Sequence, residues 1–156
     1  MADKPERRDL SFKSLDEAVA DVEKLAAGEV RTTGNHSFAE ILKHLAISNN
    51  MSTGRIEAPR PPFFIRLIMP VMKRFILNTT PKPGFKLPQK SENFFWPGGD
   101  IDLQEAVAEF KDSVEHYNSN GPLDVHPMFG RATREQIDRL NTGHCAMHLS
   151  FVHPVT

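Results

Sequence analysis

A run of about 50 residues, Met51 to Ile101, carries most of the prolines of the chain, in the stretches "APRPPFF", "IMPVM", "TTPKPGFKLPQK" and "FWPGG". Helical signals lie on both sides of it. A connection this long inside a compact domain needs a reason, because most connections are only a few residues. The topological reason is that the helices it joins run parallel, so the chain must travel the length of a bundle to return. The crossover also contains an apolar piece, "FFIRLIMPVMKRFIL". Wound as a helix, Arg66, Lys73 and Arg74 share one side. Pro70 is expected to break it, with a shorter helix starting there and ending near Leu77.

Four segments flank or precede this crossover with the pattern of amphipathic helices. The first is expected over Leu15 to Ala27. Ser14 and Glu17 form a capping-box pair before it and Gly28 stops it. The second runs from Phe38 to Asn50 behind Ser37 and Glu40, the third from Leu103 to Tyr117 behind Asp102 and Glu105. The fourth runs from Arg134 to Val152, opened by Thr133 and Gln136 and closed by Pro154. No segment alternates as a strand does. The expected architecture is all-α: a single domain over 1–156, built as a four-helix bundle with the 51–101 crossover between helices two and three.

Composition excludes several functional classes. The net charge of −1 gives no general attraction to nucleic acid. No apolar run is long enough to span a membrane, and the N-terminus lacks the apolar centre of a signal peptide. Cys145 is the only cysteine, which excludes an internal disulfide and suits a reducing, cytoplasmic setting. Charge is uneven: residues 55–90 hold eight basic residues against one acid, Glu57. A basic crossover lying on an acidic bundle explains this, and a membrane-surface helix or an anionic-substrate mouth is the alternative.

The chemistry is in the histidines. His144 and His148 in "RLNTGHCAMHLSFV" are four residues apart, one above the other on a single helix face. That face is also the one bearing Ile137, Leu140, Met147 and Phe151. Inward imidazoles cost free energy unless their nitrogens find partners, and a metal ion supplies one. His44 is the one further histidine placed mid-helix on an apolar face, so it is the expected third ligand. Cys145 points away from the histidines. Glu40, one turn before His44, would orient its ring or serve only as a cap. Three imidazoles leave a divalent ion, Zn, Ni, Fe or Mn, with an open position. His126 and His153, on loops at the ends of the last helix, are weak candidates for a general base. No nucleophile elbow, P-loop or dinucleotide fingerprint occurs.

The segments "GNHSFAEILKHLAIS", "PKPGFK", "HPMFG" and "RLNTGHCAMHLSF" together resemble the DinB-like (YfiT-like) superfamily of metal-dependent enzymes, in a bacterial branch of unknown function. The resemblance extends from about Ser14 to Pro154. It implies a four-helix bundle with parallel second and third helices, and a divalent metal held by His44, His144 and His148. It also implies a homodimer, and a small-molecule substrate such as a low-molecular-weight thiol, with hydrolysis or thiol transfer as the reaction. Two positions depart from the pattern: His36 stands where an aromatic residue is expected, and Met147 where another histidine is. A non-catalytic bundle that binds metal, or a partner through the basic apolar crossover, is the alternative reading.

Overall fold

Each of the four expected helix starts forms with the expected cap residue, although at Ser14 the expected box stays open because the Glu17 carboxylate accepts from the Lys13 N–H instead. Ser14, Ser37, Asp102 and Thr133 each accept a hydrogen bond from the backbone N–H three residues on, at 2.9–3.3 Å. At Ser37 and Thr133 the box is closed by the Glu40 and Gln136 side chains. The computed structural model describes residues 4–155, so both ends of the expected 1–156 domain lie outside the described residues. The elements are α1 (Leu15–Ala26), β1 (Val30–Thr32), α2 (Phe38–Ser52), α3 (Phe63–Ile76), α4 (Gln89–Phe95), α5 (Leu103–Asn120), β2 (Val125–His126), β3 (Gly130–Arg131), α6 (Arg134–Leu149) and β4 (Val152–Pro154).

The chain is mostly helical, but four helices do not describe it: among the described residues there are six, with two small antiparallel strand pairs. The expected helices are α1, α2, α5 and α6. Helix α2 packs on α5 and α6, and α1 packs on the same two. Side-chain pairs run in step along α2 and α5, from Lys43–Glu109 to Asn49–Ser113. The Leu123 N–H then donates to the Ser52 carbonyl. The two helices are therefore parallel, which accounts for the long crossover. Phe110, Tyr117, Leu42, Leu45, Ile137 and Leu149 fill the space between the helices.

Three expectations are corrected. The last helix ends at Leu149, not Val152, because Val152–Pro154 pairs with Val30–Thr32 in register Thr32↔Val152, Arg31↔His153, Val30↔Pro154. Strands of three residues are too short to show alternation in sequence. The crossover holds two helices, α3 and α4, where one short helix from Pro70 to Leu77 was expected. Pro70 does not divide α3, which continues through it. The Arg66 carbonyl, which loses its partner N–H at Pro70, belongs to an exposed residue, so water can satisfy it. Leu77 and Phe95 are buried and pin the crossover to the body of the protein. No helix among the described residues is long and apolar enough to cross a membrane.

Candidate metal centre

His44 lies on the inward face of α2, and His144 and His148 lie one turn apart on α6. Because α2 and α6 pack together, the three rings meet. His144 Nε2 is 3.1 Å from His44 Nε2 and 3.0 Å from His148 Nε2. One nitrogen from each ring lies within 4.8 Å of the others, and among the described residues this is the one such group of histidine, cysteine or carboxylate side chains.

The crossover orients the cluster. His44 Nδ1 donates to the Phe95 carbonyl at 3.1 Å, which fixes the tautomer and turns the Nε2 lone pair toward the other two rings. Trp96 stacks on His44 at 4.0 Å between centroids and on His36 at 3.7 Å. Two rings that close and nearly parallel must occupy opposite faces of the indole. Trp96 also meets His148 edge-on at 5.4 Å. Helix α4, which packs on α2, brings this arm over the site.

Burial holds all three imidazoles neutral at physiological pH. It pushes His144 down to about 4 and is the largest cause of the lowered values of His44 and His148. The neutral form is also the one that coordinates metal. Neutral rings create a difficulty that the geometry makes plain. With Nδ1 of His44 protonated, its Nε2 carries only a lone pair. A proton on His148 Nε2 serves its contact with His144 and leaves His44 and His144 lone pair against lone pair, while a proton on His144 Nε2 must be shared between two acceptors and is well aligned with at most one. A cation at the centre removes the conflict.

The remaining sequence candidates are placed elsewhere. His126 is buried against α2. Its Nδ1 accepts from the Met128 and Phe129 N–H groups at 3.2 and 3.4 Å, and its Nε2 lies 3.2 Å from Ser52 Oγ. His153, in β4, contacts the Glu6 carbonyl at 3.2 Å and Thr33 Oγ1 at 3.4 Å. Glu40 closes its capping box and does not orient His44; the Phe95 carbonyl does. Cys145 is buried in the core, and burial pushes its thiol up to about 12. The sequence reading missed Phe95, Trp96 and the stacking role of His36. The available signal was the chain's single tryptophan in "NFFWPGG", together with His36 standing where an aromatic was expected.

A family model described as "Protein of unknown function (DUF1569)" matches residues 4–155. No curated protein and no solved structure matches the chain. The expected DinB-like membership is corrected by this match, which spans almost the whole chain, while no DinB-like model matches. The short motifs behind that expectation are largely cap residues, turn residues and histidine spacing, which any helical protein with a similar cluster would share.

Proposed function

The chain belongs to the DUF1569 family, and from its own geometry we propose that His44, His144 and His148 hold a divalent metal ion in a metal-dependent enzyme for a small-molecule substrate. The observation that carries this reading is the pair of Nε2···Nε2 contacts at 3.0 and 3.1 Å, which neutral imidazoles cannot both satisfy with a well-aligned hydrogen bond. Two imidazole nitrogens on a tetrahedral zinc ion, each at roughly 2.0–2.1 Å, sit about 3.3 Å apart. The two contacts to His144 lie close to that value, and the third pair of nitrogens lies within 4.8 Å. Three neutral nitrogen ligands suit Zn, Ni, Fe or Mn.

When bound, such an ion supplies a Lewis acid with an open position, able to polarise a substrate oxygen or sulfur or to acidify coordinated water. The protein's part is to hold the ligands. The Phe95 carbonyl fixes the His44 tautomer, and the His36–Trp96–His44 stack limits the rotation of the ring. Water and a small thiol are the two groups the open position would activate, giving a hydrolase or a thiol transferase. The cluster among the described residues consists of imidazoles alone, which suits a non-catalytic metal-binding module as well as an enzyme.

Protein purified without chelator is expected to carry about one metal ion per chain by elemental analysis. After exchange to Co²⁺, added small thiols are expected to produce a thiolate-to-cobalt absorption band if the open position takes sulfur. A chain that neither retains nor takes up Zn²⁺ or Co²⁺ would overturn the reading. Metal binding without response to thiol removes thiol transfer and leaves hydrolysis and the non-catalytic module, which hydrolysis assays on the Zn²⁺-loaded protein separate. Trp96→Ala is expected to weaken Zn²⁺ affinity about tenfold without removing it, the usual range for a group that orients a ligand. Competition with a chromogenic chelator measures this.

A further inference from the structure

Helix α3 buries none of its fourteen residues and packs extensively on no other element. Phe63, Phe64, Leu67, Ile68, Val71, Met72 and Phe75 are all exposed, Val71 at 79%. Solvent-facing apolar surface of this extent marks an interaction site. Placed at about 100° per residue, Leu67, Val71, Phe64, Phe75 and Ile68 fall within an arc of about 100°. Ile65, Met69 and Ile76, half-buried, follow on the side toward the protein. Arg66 and Lys73 occupy the opposite side, and Arg74 borders the apolar arc. The surrounding chain has the same character. From Ala58 to Ser91 there is no acid and there are seven basic residues. Phe85, also exposed, lies between Lys82 and Lys86.

We propose that α3 is a membrane-surface anchor that lies in the interface of an anionic lipid bilayer. The charge of the segment selects this occupant. A convex apolar ridge with a basic border matches a surface that is negative at the headgroups and apolar beneath them, and long basic side chains can reach the headgroups while their stems stay among the acyl chains. A second copy of the chain fits less well. A two-fold interface sets the same patch against itself and would bring together two segments that each carry seven basic residues and no acid. At about 1.5 Å per residue a fourteen-residue helix is roughly 21 Å long, which suits lying in the interface and not crossing the bilayer.

The test uses the full chain in co-sedimentation with vesicles of phosphatidylglycerol and phosphatidylcholine, and with vesicles of phosphatidylcholine alone. Binding to the anionic vesicles is expected to be at least about tenfold stronger and to weaken in about 0.5 M salt. The double variant Val71→Asp/Phe75→Asp is expected to lose vesicle binding at least about tenfold. Both positions are exposed, so its helix content and melting temperature are expected to stay at wild-type values. The triple variant Arg66→Gln/Lys73→Gln/Arg74→Gln is expected to lose the preference for anionic lipid. Failure to bind vesicles, or binding that neither variant alters, overturns the proposal. So does a dimer, detected by sedimentation equilibrium, that does not bind vesicles and dissociates in the double variant, because the face then belongs to a second copy.

Discussion

His144→Ala is expected to lower the affinity for Zn²⁺ by about a hundredfold or more, while the chelator-treated variant loses only a little stability relative to the chelator-treated wild type. Structural zinc sites bind with roughly 10–16 kcal/mol over four ligands, so one ligand is worth about 3 kcal/mol, which is about two orders of magnitude. The stability half of the expectation separates a metal centre from a packing cluster. His144 is the member shared by both short nitrogen contacts. Its removal ends the lone-pair conflict in the metal-free protein, and this offsets part of the packing lost. His44→Ala is a poorer choice because it also strips the Phe95 carbonyl of its donor. Two measurements check this: competition titration for affinity, and melting with and without chelator. The wild-type melting temperature is expected to fall on chelation, by mass action, and that of the variant to stay put. A variant that binds Zn²⁺ as tightly as the wild type would reduce the cluster to three packed histidines.

How much of this was legible in the chain depends on the range of the interaction concerned. Helix starts are local: Ser37 and Glu40 are three residues apart and can be read without knowing the fold. The His144–His148 face is local too, since helical spacing alone aligns the two rings. His44 lies 100 residues from His144, and its selection needed only the observation that it is mid-helix and apolar-flanked. The strand pair Val30–Thr32 with Val152–Pro154 had no such signal. It joins chain ends through three residues each, and its pairing is set by where α1 and α6 finish. Pro70 misled in the opposite way. A local rule ends a helix there, yet the lost hydrogen bond falls where water can replace it. Trp96 was the largest omission. Its role comes from α4 packing on α2, and sequence spacing carries no information about that contact.

His126→Gln carries the second large expectation. Burial, the single cause of the shift, holds His126 down to about 4, against about 6.5 in the unfolded chain. Between those values the unfolded chain binds a proton that the folded chain refuses, so stability rises with pH across this window. The contribution of the neutral ring is complete above about pH 6.5 and is lost as pH falls toward 4. At pH 5 the loss amounts to about 2 kcal/mol, at roughly 1.4 kcal/mol per unit. The buried rings of the cluster shift in the same direction, so the wild-type slope alone cannot isolate His126. The difference between wild type and variant can. Glutamine does not titrate. At pH 7 the variant is expected to be less stable by about 1–3 kcal/mol, because it disturbs the bonds to Met128, Phe129 and Ser52. At pH 5 that deficit is expected to shrink by about 2 kcal/mol. Urea unfolding in chelator at the two pH values measures both numbers, and a deficit that does not change between them would show that His126 takes up its proton as readily in the folded protein as in the unfolded one. Its contact with Ser52 sits two helical turns along α2 from His44, roughly 12 Å at 1.5 Å per residue. The titration is therefore expected to move stability while leaving the Zn²⁺ affinity difference between the two proteins at pH 7 within about twofold.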